Sequence, residues 1–318
     1  MEKITPWIIL IVYAITLLLF DFFVLHKKDK QSSTKKAVFE TIFFVANGLL
    51  FSILIYWFYH SELIENTTHL SPNKAVLNYL TGYMVELSLS IDNLFVIAAI
   101  FASFKIPIKH QHKLLFLGIL GAIVFRAILI NLGLVLMDKI HGMSIVFGVF
   151  LLFTATKMLK NEVEHKENDQ PKGINKLLRF SKILDGGKFI TKVDGKKVFT
   201  ALFGALITIE LTDLLFALDS IPAILSITKD SFIVYSSNIF AIMGLRSLYF
   251  FLSNMLEKFV YLKYSVFSIL LFVSIKLITS EYFEIPEWFS LVFIGISLAV
   301  GIYISTLNIK NINSENDI

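Results

Sequence analysis

About nine apolar runs, most of them close to the 17 to 25 residues a helix needs to cross a hydrocarbon core, follow one another along almost the whole of this 318-residue chain. They fall at about residues 5–25, 37–59, 76–104, 113–137, 143–160, 198–226, 232–253, 265–280 and 288–308. Backbone polar groups in lipid must be satisfied within the segment, so uniform runs of this length call for α-helices. The expected fold is all-α: a polytopic transmembrane helical bundle of about nine spans, forming one membrane domain over 1–318. A composition of 56% hydrophobic and 17% charged residues, with a mean hydropathy of +0.72, leaves too little polar surface for a soluble globule of this size.

Cysteine is absent, which removes disulfides, thiolate ligands and cysteine nucleophiles together and leaves oxygen and imidazole as ligand chemistry. The net charge of +4 is small, and the basic residues collect in loops without an aromatic-interleaved groove, so nucleic acid is not an expected partner. No GxxxxGKS loop is present to hold ATP, and no span carries an HExxH pair of the kind an intramembrane metalloenzyme would use; the chain reads as a non-enzyme.

Lysine and arginine mark the direction of threading. Lys27, Lys28, Lys30, Lys35 and Lys36 lie in the first connection, Lys105, Lys109 and Lys113 in the third, and a basic stretch from Lys160 to Lys197 forms the fifth. The even-numbered connections are acidic or mixed, with Glu62 and Glu65 in the second and Glu281, Glu284 and Glu287 in the eighth. The positive-inside rule then places the N-terminus outside and the C-terminus in the cytoplasm. The first run has no small-residue cleavage site and is followed by its basic cluster, so it reads as a retained helix rather than a signal peptide. Residues 161–197 read as a basic cytoplasmic loop, with a short amphipathic helix around 175–184 as the alternative.

Carboxylates recur inside two of the runs. Glu86-LSLSI-Asp92-Asn93 in the third aligns with Asp213-LLFAL-Asp219-Ser220 in the sixth; Arg126 and Lys157 then match Arg246 and Lys276 in the same order. Acid pair, arginine and lysine thus repeat over spans three to five and six to eight. Three helices per unit make the second unit enter the membrane upside down, the inverted arrangement in which transporter sites lie near the midplane. The divisions expected are two peripheral helices (1–75), a first repeat (76–160), the cytoplasmic loop (161–197), a second repeat (198–280) and a ninth helix with tail (281–318).

An aspartate at a helix centre lies roughly 2.5–3.5 kcal/mol uphill, so such residues face a cavity, a partner or an ion. Glu86, Asp92, Glu210, Asp213 and Asp219 set five acids against two deep cations, Arg126 and Arg246. Protonation or a bound cation would absorb the excess. Carboxylates with the Asn93 amide and the Ser220 hydroxyl make a hard-oxygen ligand set suited to Mn, Mg or Ca. Six residues on a regular helix rotate by about 120 degrees, so Glu86 and Asp92 share one centre only if the helix is distorted, and Pro222 beside Asp219 is a candidate distortion.

Structural alternatives stand beside these readings. Arg126 and Arg246 could pair with Asp92 and Asp219 or act as gates, with Glu210 in the same class. Lys157 and Lys276 would snorkel to the interfaces, Asn47, Asn131 and Asn238 would be interhelical glue, and His110 and His112 would be solvated.

ELSLSIDN with LFV, ELTDLLFALDSIPAI, SNIFAIMGLRSLYF and LKYSV, spread over about residues 74–278, resemble the TerC/Alx family of bacterial integral membrane proteins. The resemblance implies membership of a wider superfamily that exports amino acids or cations, with family members associated with manganese export, tellurium resistance and metal supply to secreted proteins. Carried onto matching positions, it marks Glu86, Asp92, Asn93, Glu210, Asp213, Asp219 and Ser220. The expected function is export of divalent cations, with Mn(II) the transported ion and no permanently bound cofactor, through a midplane site of Glu86, Asp92, Asn93, Asp213, Asp219 and Ser220. An accessory membrane protein that supports metal supply without transporting is the alternative. The lipid bilayer, a divalent cation, and a homo-oligomeric or secretion-machinery partner are the contacts this admits, in a bacterial inner membrane.

Overall fold

The structure, a computed structural model, describes residues 2–25, 34–66, 68–140, 142–160, 180–181, 186–193, 196–253, 261–280, 282–283 and 285–316. Helix α1 (Thr5–Phe20) runs on into a π-helical turn at Asp21–Leu25. It is followed by α2 (Thr34–His60), α3 (Pro72–Ser103), α4 (Ile108–Lys139) and α5 (Met143–Lys160). The second half holds α6 (Ala201–Leu225), α7 (Ser231–Met243), α8 (Leu245–Ser253), α9 (Leu262–Thr279) and α10 (Glu287–Asn316). The chain is an all-α membrane protein. Among the described residues six stretches are long and apolar enough to cross a bilayer: Thr5–Phe23, Lys36–His60, Ile108–Lys139, Ala201–Leu225, Ser231–Phe251 and Trp288–Leu307.

Local chemistry sets the helix ends. Pro6 stands in the first turn of α1, where its missing N–H costs nothing. Thr200 caps α6, and Asp230 caps α7 by accepting from the Ile233 N–H at 3.2 Å. Gly244 interrupts the seventh apolar run, dividing it into α7 and α8. Pro222 does not unwind its helix: α6 stays continuous from Ala201 to Leu225, with the proline inside it.

Helix α4 divides cleanly between an inward and an outward face. On α4 Leu115, Gly118, Ile119, Ala122, Arg126, Ile130 and Gly133 are buried at helical spacing, whereas Val124, Ile128, Leu132 and Val135 are exposed on the face left for lipid. Trp57 and Trp288 are likewise exposed. Helix α3 packs against α6 and α7, α4 against α6, and α5 against α9. A Cβ built at Gly148 would stand 2.9 Å from the Ser274 carbonyl, so α5 and α9 approach backbone to backbone. The helices read as peripheral share the largest buried cluster, through Leu10 of α1 and Phe51, Ile55 and Phe58 of α2.

The fifth connection is more than a loop. It carries a three-stranded sheet of β1 (Phe180–Ser181), β2 (Ile190–Val193) and β3 (Lys196–Thr200), in the order β1-β3-β2, with β1 parallel and β2 antiparallel to β3. A strand at Phe180–Ser181 replaces the centre of the amphipathic helix considered for 175–184; the rest of that segment lies outside the described residues. Asp194-Gly195 between β2 and β3 is a strong hairpin signal in the sequence. The sheet leads directly into α6 and docks on the start of α4, where Lys113 Nζ donates to the Gly187 carbonyl at 3.1 Å and lies 4.6 Å from the centre of the Phe189 ring. His112 stacks on Phe250 at 3.8 Å between ring centres rather than facing solvent.

Candidate functional site: carboxylates bridged by an arginine

Asp213 stands at the centre of α6, about 18 Å from either end at ~1.5 Å per residue. Because α3 and α4 both pack on α6, Glu86 and Arg126 reach the same depth. Arg126, 1% exposed, bridges the two carboxylates. Its Nη1 donates to Glu86 Oε1 and to Ser220 Oγ, the latter at 3.3 Å. Its other edge forms a fork on Asp213, Nη2 to Oδ1 at 3.0 Å and Nε to Oδ2 at 3.3 Å. Such parallel donation is what a planar guanidinium offers and an ammonium does not. From α7, Asn238 Nδ2 donates to Glu86 Oε2 at 3.0 Å.

One cation thus serves two carboxylates from corresponding positions of the two proposed repeats. The Glu210 carboxylate, one turn before Asp213, is pressed against Gly121 of α4, where a Cβ would lie 2.2 Å from its oxygens. Its Oε2 is buried and has no hydrogen-bond partner among the described residues. A cavity of about 30 Å³, room for about two waters, is lined by Asp213 and Arg246 together with Gly118, Ala122 and apolar side chains. Toward the far end of α6, Ile221, Ile224 and Leu225 join Ile130 and Val234 in a buried apolar layer, beyond which a polar cleft of about 650 Å³ includes Asp138, Ser226, Thr228 and Lys229.

Among the described side chains both arginines have carboxylate partners. Arg126 takes Glu86 and Asp213. Arg246 takes Asp21 of the first helix, with Nη2 3.0 Å from Oδ1 and 3.4 Å from the Asp21 carbonyl, and the buried Glu40 of α2 adds its attraction. The side chains of Asp92, Asp219 and Lys157 lie outside the described ones; their positions fall on α3, α6 and α5. Asn93 is buried. Lys276 is 6% exposed and donates to Ser290 Oγ at 3.2 Å. Among the described residues no three His, Cys, Asp or Glu side chains form a metal-sized cluster. Asp21 was not singled out in the sequence, although an acid at the end of an apolar run is itself a signal. Asn238, read as interhelical glue, does join two helices, and its partner is a site carboxylate.

The profile of the integral membrane protein TerC family matches residues 71–313. The chain belongs to that family. This TerC member is 40% identical over 311 residues to an uncharacterized membrane protein of Rickettsia bellii (strain RML369-C), covering 96% of this chain and 98% of the relative. It is 38% identical over 281 residues to the "Putative membrane-bound redox modulator Alx" of Escherichia coli (strain K12), covering 87% of this chain and 84% of the relative. It is 37% identical over 312 residues to an uncharacterized membrane protein of Myxococcus xanthus, covering 96% and 93%. No solved structure matches the chain. All of α3 to α9, and with them Glu86, Arg126, Asp213, Ser220, Asn238 and Arg246, lie within the family match; Asp21 and Glu40 precede it.

Proposed function

We propose that this TerC member exports divalent metal cations, with Mn(II) as the favoured ion, through the midplane carboxylates by alternating access. The observation that carries the reading is Arg126: a buried cation held between Glu86 of α3 and Asp213 of α6, at the depth where an exported ion would rest. A guanidinium placed there acts as a tethered substitute that neutralises the site between transport events, and a metal ion would take the carboxylates as Arg126 withdraws. Asp92, Asn93, Asp219 and Ser220 would complete the hard-oxygen set.

The helix pairings support an inverted repeat. Exchanging α3 with α6, α4 with the α7–α8 pair, and α5 with α9 maps the α3–α7 contact onto α6–α4, and α5–α9 onto itself. The apolar layer of Ile221, Ile224 and Leu225 would close one side while the docked sheet covers the other, with the polar cleft facing outside and the sheet in the cytoplasm of a bacterium's inner membrane. A carboxylate relieved of metal could return a proton. A thiol-based redox role, which the name of the Escherichia coli relative invites, has no cysteine here to carry it.

Proteoliposomes loaded with Mn(II) test the reading. Wild type should release the ion well above the rate of protein-free vesicles, and Glu86→Gln or Asp213→Asn should lower the release at least tenfold. Equal rates for wild type and both variants would overturn export. A protein that changes cellular manganese yet moves none in vesicles would instead be the accessory factor.

A further inference from the structure

Asn238 is 1% exposed on α7, and its amide nitrogen reaches Glu86 Oε2 across 152 positions of sequence. The orientation of that amide is dictated by chemistry, because a carboxylate oxygen can face the NH₂ but not the carbonyl of an asparagine. Its neighbours behave differently. Ser236 and Ser237, equally buried, turn their hydroxyls back onto the carbonyls of Ile233 and Val234 in their own helix. Among these three polar residues of α7, Asn238 is the one spent on the site.

The two oxygens of Glu86 therefore have partners of different kinds. Oε1 takes the Arg126 guanidinium, with the Ser90 hydroxyl at 3.4 Å; Oε2 takes the neutral Asn238 amide. A metal cation competes with a guanidinium, since both satisfy the same negative charge. It gains nothing by displacing a neutral donor from the opposite oxygen. Lacking the amide, the carboxylate would be tied chiefly to Arg126 and would follow it when it moved.

We propose that Asn238 is a positioning residue of the cation site, holding Glu86 by Oε2 so that Oε1 stays presented and coordinates the ion through one oxygen once Arg126 withdraws. This rests on the export reading and adds α7 to the helices that build the site. Hydrogen bonds that orient a metal ligand are worth about 10–100-fold in affinity, which sets the size of the expected effect.

Equilibrium binding of Mn(II) to the purified full-length protein, with flux from proteoliposomes, tests it. Asn238→Ala, and Asn238→Leu, which keeps the volume without the donor, should each weaken Mn(II) binding and raise the flux KM at least tenfold. The maximum flux should stay within about twofold, and both variants should still melt cooperatively, at a somewhat lower temperature because Oε2 loses its donor. Ser237→Ala, which removes only a bond within α7, should leave binding unchanged. Wild-type affinity in both Asn238 variants, or an equal loss in Ser237→Ala, overturns the positioning role and leaves export standing. If wild type neither binds nor moves Mn(II), both fall.

Discussion

Arg126 and Asp213 meet through two parallel hydrogen bonds at 3.0 and 3.3 Å, and the same guanidinium holds Glu86 on its other edge. Removing one member of a buried pair leaves an uncompensated charge and costs about 3–5 kcal/mol. Arg126→Ala should lower the melting temperature of the detergent-solubilised protein accordingly, and Arg126→Lys should recover only part of it, because an ammonium cannot form the fork. Added Mn(II) should raise the melting temperature of Arg126→Ala more than that of wild type. Wild-type melting in Arg126→Ala would show that the bridge contributes nothing.

The second arginine is anchored outside the family match, on Asp21. Asp21→Asn should destabilise by about 3 kcal/mol, the low end of the range for a broken buried pair, because the attraction of Glu40 remains. Asp21→Asn with Glu40→Gln should lose more than either alone. Denaturant titration of the three variants decides it, and strictly wild-type midpoints would count against the anchor.

Gly121 has room for hydrogen only, since a Cβ would lie 2.2 Å from the Glu210 carboxylate. Gly121→Ala should cost about 1–3 kcal/mol by overpacking, and Glu210→Ala should relieve it, giving a coupling above about 0.5 kcal/mol in a double-mutant cycle. At Gly148 the nearest main-chain atom, the Ser274 carbonyl, stands 2.9 Å away. Trimming the nearby Ile278 side chain should therefore leave most of the penalty of Gly148→Ala in place.

Gly187 adopts φ +84° against the His110 ring and offers its carbonyl to Lys113. Gly187→Ala combines a left-handed backbone with a contact of 3.0 Å to His110, a strain of about 1–3 kcal/mol placed at the turn before β2 where it meets the start of α4. Limited proteolysis should cut the variant faster around 186–200, while melting of the membrane bundle stays within a few degrees of wild type. Equal cleavage rates would argue that the sheet is held by other contacts.

The places where helices form were readable along the chain because the cost of putting a backbone into lipid is settled segment by segment. The runs read at 113–137 and 198–226 became α4 (Ile108–Lys139) and α6 (Ala201–Leu225). The acids that had to find partners were readable on the same ground: a carboxylate in an apolar run is costly wherever the chain later goes. The sheet was missed because β2 and β3 are short and charged, and a basic loop accounted for the same residues.

Partner choice was a different matter. Arg126 takes Glu86 and Asp213 over separations of 40 and 87 positions, Asn238 reaches Glu86 over 152, and Arg246 turns to Asp21 over 225. A matching order of charges says that such residues lie at comparable depths. It does not say which helix faces meet. Contact here is set by glycines such as Gly148, which lets two backbones approach, and Gly121, which admits the Glu210 carboxylate, and these fix each helix's rotation. Hydropathy acts locally and therefore survives in the linear chain, whereas the rotation of one packed helix against another exists only once all of them are assembled.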